Sequence, residues 1–143
     1  MLKNIMALDL GKGSLGMAIS RSGMFVTPLD NLRFPATHYE KAIEGIKEVL
    51  LVEDVSLFVI GLPLYPSGDP CEMTPIVINF IDMLHEAFPS IPVMQQDERN
   101  STVEAAEMLH AVGKNAKAQR KNIDSAAAVI ILERFLRSVG QMD

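Results

Sequence analysis

Apolar residues along this chain fall into two kinds of run. Residues 5–10 form a short block that is apolar except for Asp9, the pattern of a buried strand. Residues 15–20 and 24–32 read as two further strands with Arg21-Ser22-Gly23 as turn material between them, so the first three strands suit an antiparallel meander. Thr37 and Glu40 then make a capping box. The helix it opens has Ala42, Ile43, Ile46, Val49 and Leu50 on one face. Residues 57–61 are continuously apolar, as in a central parallel strand. A loop at 66–68 follows, and a second helix opens at Asp69-Pro70 or at Thr74-Pro75, because proline suits the first helical turn. Residues 91–96 read as another strand. Ser101 with Glu104 starts a helix that stops at Gly113, and a last helix over 122–137 is apolar nearly all round. The order βββαβαβαα predicts an α/β protein, a mixed sheet with helices on both faces.

Length and composition narrow the reading. A chain of 143 residues, 48% hydrophobic and 22% charged, is expected to form a single domain spanning 1–143 and is far from the disordered class. The net charge of −5 argues against a protein that coats nucleic acid non-specifically, though not against an enzyme that acts on it. One cysteine, Cys71, excludes a disulfide framework and a cysteine-rich zinc site and fits a reducing, cytoplasmic setting. The uncharged stretch 55–68 is too short to span a bilayer and holds Gly61, Pro63 and Pro66; no signal peptide is read and no membrane partner is expected.

The candidate chemistry lies in carboxylates at strand and helix ends. Asp9 closes a buried strand, where a carboxylate is costly unless it is paired or holds a metal. Asp97-Glu98-Arg99 follows the strand at 91–96, and catalytic groups of open α/β sheets gather at the carboxyl ends of strands. Strand alternation sends neighbouring carboxylates opposite ways, so one of Asp97 and Glu98 faces the site. Asp124 opens an otherwise apolar helix, and the small Ser125 and Ala126 to Ala128 let that helix sit close to the sheet. Three carboxylates from distant segments match two-metal phosphodiester hydrolysis, in which hard divalent cations share carboxylate oxygens. Lys114, Lys117, Arg120 and Lys121 place a basic segment just before Asp124, and Lys12 lies in the loop after Asp9; both suit phosphate contacts. His38, His85 and His110 are scattered without ligand spacing, and neither a phosphate-binding loop signature nor a nucleophile elbow is present.

Taken in order, Ala7-Leu8-Asp9-Leu10-Gly11 with Gly16-Met17-Ala18-Ile19-Ser20, Gly61-Leu62-Pro63-Leu64, Asp97-Glu98-Arg99 with Ser101-Thr102-Val103-Glu104-Ala105, and Ile123-Asp124-Ser125-Ala126-Ala127-Ala128 make nearly the whole chain resemble the YqgF/RuvX family. These Holliday-junction-resolvase-like proteins are ascribed a pre-16S rRNA nuclease role. The resemblance implies an RNase H-like fold and a cytoplasmic nuclease using Mg²⁺ or Mn²⁺ at a two-metal site. It carries the catalytic and metal-binding roles onto Asp9, Glu98 and Asp124, with Asp97 as a further ligand candidate, and a phosphate-contact role onto Arg99. The chain departs from the family at Lys12-Gly13-Ser14, at Tyr65 where asparagine is usual, and over the loop 66–73.

The function expected is cleavage at the 5′ end of precursor 16S rRNA, a structured RNA, on its own or within ribosomal particles. The alternative is a resolvase acting on branched DNA, which requires a dimer; the sequence leaves monomer and dimer open. A nucleotide-binding module is disfavoured, because the actin-like ATPases that Asp9-Leu10-Gly11 and Gly16 also resemble need two lobes. A non-catalytic nucleic-acid-binding module ranks low, since all three acids are present.

Overall fold

A computed structural model describes residues 1–98 and 116–143, with side chains in the last helix described from Ser125 onward. The elements are β1 (Ile5–Leu10), β2 (Ser14–Ser20), β3 (Thr27–Pro28), β4 (Leu32–Arg33), α1 (Tyr39–Val49), β5 (Leu57–Leu62), α2 (Met73–Ala87), β6 (Val93–Asp97) and α3 (Ala116–Ser138). They build one mixed sheet in the order β3-β2-β1-β5-β6, with β4 also paired to β2. β1 runs antiparallel to β2 and parallel to β5, and β5 runs parallel to β6.

Strand alternation divides the core in two. Met6, Leu8 and Leu10 of β1, with Phe58 and Ile60 of β5, face a cluster that includes Ala42, Ile43 and Ile46 of α1 and Val77, Phe80 and Leu84 of α2. Ile5 and Ala7, with Leu57 and Val59, face the other side, where Ala128, Ile131, Leu132, Phe135 and Leu136 of α3 cover them. Helices on both faces explain why β1 and β5 are apolar at successive positions instead of alternating. Ala126, Ala127 and Ala128 are almost fully buried, so α3 lies close against β1, β2 and β5. Ser125 anchors its described start, donating from Oγ to Leu29 O at 2.9 Å and bonding the Asn31 side chain.

Several elements differ from the sequence-based expectation. The strand at 24–32 is two two-residue strands, because Pro28 lacks an N–H for continued pairing and Asp30-Asn31 turns the chain. The capping box at Thr37 does not form. Thr37 sits at φ 69°, its N–H donates to Lys12 O at 2.8 Å, and α1 starts only at Tyr39 without a side-chain cap. Glu40 instead pairs with His38 Nδ1 at 3.2 Å. Of the two starts considered for the second helix, the one at Thr74-Pro75 is realised, whereas Pro70 bridges Leu64 in the loop before it. The last helix begins at Ala116, six residues ahead of position 122. Lys117, Arg120 and Lys121 therefore belong to α3 and not to a linker before it. The helix expected over 101–113 lies outside the described residues.

A β-branched residue in left-handed backbone costs about 1–2 kcal/mol, more than the roughly 0.5–1 kcal/mol glycine loses in chain freedom. Thr37 is exposed, so nothing else holds its side chain. Thr37→Gly is expected to stabilise the protein by about 0.5–1 kcal/mol and raise Tm by about 2–4 °C, measured by thermal unfolding followed by circular dichroism.

Candidate active site

The parallel register of β1, β5 and β6 brings their carboxyl ends to one edge of the sheet. Ile5 pairs with Leu57 and Leu8 with Ile60, so Asp9 emerges one residue beyond the last β1–β5 pair. On the other side of β5, Leu62 pairs with Asp97, and the Glu98 N–H donates to Leu62 O at 3.2 Å. Asp9 shares the face of Ile5 and Ala7 by alternation, the face that α3 covers. Glu98 reaches the same side: its Oε2 lies over Gly61, only 2.6 Å from where a β-carbon on that residue would stand. Ile131 Cδ1 is equally close to that point. The backbone of β5 thus passes directly beneath a carboxylate wedged against α3, and only glycine leaves it room.

The Asp9 and Glu98 side chains are hydrogen-bonded to each other. Burial is the main reason the Glu98 carboxyl rises far above the usual carboxylate range, to about 10; the Asp9 charge, the hydrogen bond to Asp9, Cys71 and Asp97 push it the same way. A carboxyl raised this far stays neutral beside the Asp9 charge at neutral pH. Glu98 interacts directly with Asp9. Asp97 acts on Glu98 through its charge, and its carbonyl accepts from Arg134 Nη1 at 3.4 Å.

Lys12 is on the surface and forms a 2.8 Å ion pair with Glu72, which ties the loop after β1 to the start of α2. That pair raises the Lys12 pKa and lowers that of Glu72. Asp124 lies on α3, four residues before the buried Ala128. Its side chain, those of Lys117, Arg120 and Lys121, and the whole of Arg99 and Lys114 lie outside the described residues. Among the described residues no three His, Cys, Asp or Glu side chains form a metal-sized cluster.

Three further residues shape the site without announcing themselves in the sequence. Gly61 reads only as part of a strand end, although a glycine closing an apolar strand is itself the signal of close approach. Cys71 and Thr74 read as loop and helix-start residues. The buried Thr74 hydroxyl accepts from Cys71 N–H at 2.8 Å and donates to Pro63 O at 2.5 Å, with Cys71 Sγ at 3.4 Å. The hydrogen bond from Thr74 lowers the Cys71 pKa. No local sequence pattern announces that stitch.

The family model for RuvX, described as Holliday junction resolvase, matches residues 3–138. The chain belongs to the RuvX family. A relative from Chlorobium phaeobacteroides, named "Putative pre-16S rRNA nuclease", is 37% identical over 142 residues, covering 97% of this chain and 95% of its own. One of the same name from Thermoanaerobacter pseudethanolicus is 37% identical over 136 residues, covering 94% and 96%. Among solved structures, T. thermophilus RuvC in complex with a Holliday junction substrate superimposes with TM-score 0.55 at 12% identity, covering 96% of both chains. That likeness establishes the RNase H-like fold of this RuvX-family chain. No helix among its described residues is long and apolar enough to cross a membrane.

A carboxyl whose pKa rises on folding stabilises the protein below its unfolded value, near 4.5, and that contribution is lost as pH climbs through about 10. Without added cations, wild type is therefore expected to lose stability between pH 5 and 10. Glu98→Gln, which keeps the neutral shape, should flatten that slope in urea titrations at several pH values. Gly61→Ala should push the carboxylate off Asp9, and the Glu98 carboxyl carbon should then titrate well below its wild-type midpoint by NMR.

Proposed function

We propose that this protein is a metal-dependent nuclease that trims the 5′ end of precursor 16S rRNA in the cytoplasm, working as one domain over 1–143. The observation that carries the reading is the hydrogen-bonded Asp9–Glu98 pair at the carboxyl ends of β1 and β6. The names of the relatives supply the substrate.

The donor set fits a divalent cation. Asp9 and Glu98 offer hard carboxylate oxygens, the type Mg²⁺ and Mn²⁺ select. They stand close enough to need a proton between them, and a cation replaces that proton. Asp124, on the helix that packs against this face, is the proposed third ligand, and Asp97 is near enough to serve beside Glu98. The chemistry supplied by a bound pair of such ions is activation of a water and stabilisation of the leaving oxygen. The chain's own part is positional. β1 and β6 present the carboxylates from a rigid sheet, and Gly61 leaves space for Glu98 to turn inward. The packing of Ile131 excludes solvent from one side.

Lys114, Lys117, Arg120 and Lys121 are the proposed phosphate contacts, joined by Arg99 and by Lys12 once it leaves Glu72. With a net charge of −5, such contacts must be local, so binding should weaken steeply with salt. A structured RNA or a pre-ribosomal particle, which presents phosphates in a fixed array, suits that requirement.

With Mn²⁺ or Mg²⁺ at low salt, wild type is expected to cut a labelled precursor 16S rRNA carrying its 5′ leader. Asp9→Asn and Asp124→Asn should each lower the rate at least about 100-fold. Unchanged cleavage by Asp9→Asn contradicts the mechanism. The family's description favours a four-way DNA junction as the competing substrate, and cleavage of the junction alone would transfer the assignment to a resolvase.

A further inference from the structure

Beyond Leu62 the chain forms a small hairpin before α2. Leu64 bridges Pro70, Tyr65 N–H donates to Asp69 O at 2.9 Å, and Gly68 N–H returns to Tyr65 O at 2.8 Å. Ser67 Oγ adds a 3.0 Å bond to Asp69 Oδ2. The base of the hairpin is fastened twice, by Thr74 Oγ1 to Pro63 O at 2.5 Å and by the Lys12–Glu72 pair at 2.8 Å. The backbone carrying Tyr65 is thus ordered in advance. Its side chain is 54% exposed, and among the described residues it has no ring partner. Only Pro63 and Leu64 separate Tyr65 from Leu62, so it stands within about 10 Å of the strand end that receives Glu98.

From this geometry we propose that Tyr65 is a stacking platform for one unpaired nucleobase flanking the scissile phosphate. The inference rests on the nuclease reading and narrows its substrate to strands that are single-stranded next to the cut. A planar aromatic on a pre-ordered support offers a base a large face at little entropic cost, and such stacking tolerates any base. In a duplex both faces of each base are already covered, so only an unpaired nucleotide can use it. The hairpin itself, residues 64–70, carries no lysine or arginine, and Asp69 is its one charged residue, so an aromatic face and not a cation is what it offers a nucleic acid. Phe25 provides an internal contrast. It is 75% exposed but lies past the end of β2, beside the start of β1 and far from the acid pair.

The test uses the full-length protein in EDTA and an RNA hairpin with a single-stranded 5′ leader, with 2-aminopurine placed in turn at each leader position. Wild type should change the fluorescence at one position near the duplex junction. Tyr65→Ala should abolish that signal and weaken binding roughly tenfold, while leaving the salt dependence unchanged, as expected for a contact that releases no counterions. Tyr65→Phe should retain signal and affinity, and Phe25→Ala should match wild type. A blunt duplex should bind wild type and Tyr65→Ala alike. With Mn²⁺ added, Tyr65→Ala should raise KM for the leader RNA about tenfold and spare kcat. Wild-type signal, affinity and KM in Tyr65→Ala overturn the proposal while leaving the nuclease reading intact. Full cleavage by Asp9→Asn overturns that reading, and the proposal with it.

Discussion

Two carboxyl groups brought together at one edge of the sheet, one of them largely buried and pushed towards its neutral form, are the constraint around which this molecule is arranged. Like charges in contact, one of them partly buried, are unstable unless something stands between them. The fold nevertheless brings Asp9 and Glu98 together from opposite sides of β5. The parallel register fixes where β1 and β6 end, Gly61 lets one carboxylate lie over the backbone, and α3 closes the remaining side with Ile131. Stability is given up at this one edge, while two apolar clusters on either face of the sheet hold the scaffold rigid. Such a local cost in a well-packed frame is the pattern that supports the proposed cation site.

Much of this was legible in the chain. The apolar runs at 5–10 and 57–61 became the two central strands, because burial on both faces demands residues apolar at every position. Asp9 stood out for the same reason, as the one charge inside such a run. What could not be read were features set by three-dimensional contact. Thr37 and Glu40 have the spacing of a capping box, but the Thr37 N–H is taken by Lys12 O across a loop, and local preference yields to that bond. Alternation required one of Asp97 and Glu98 to face the site; only the fold over Gly61 shows that Glu98 bonds Asp9. Asp124 reads from the sequence as a helix-start acid, and it falls just over two turns into the helix Ala116–Ser138.

The distribution of charge explains how an acidic protein can still address a polyanion. Its excess of carboxylates is partly concentrated where a cation would neutralise them, and Lys12 is held in reserve by Glu72 on the surface beside the site. On the proposed reading, recognition divides into tasks of different physical kinds: carboxylates for the metal, a basic segment on α3 for phosphates, and an aromatic hairpin for an unpaired base. Electrostatic attraction alone would not select among nucleic acids. The combination favours a junction between single and double strand.

The central claim, that the Asp9–Glu98 pair is a cation site held shut by a proton, is tested most directly by counting the protons that binding expels. Calorimetric titration of the cation-free protein with Mn²⁺ at neutral pH, repeated in buffers of different ionisation enthalpy, measures that number. The account predicts release of about one proton per protein, because a carboxyl must deprotonate before it can ligate. The release should disappear in Glu98→Gln. Tight Mn²⁺ binding with no proton release in wild type would show that the two acids are already ionised, and would contradict the account.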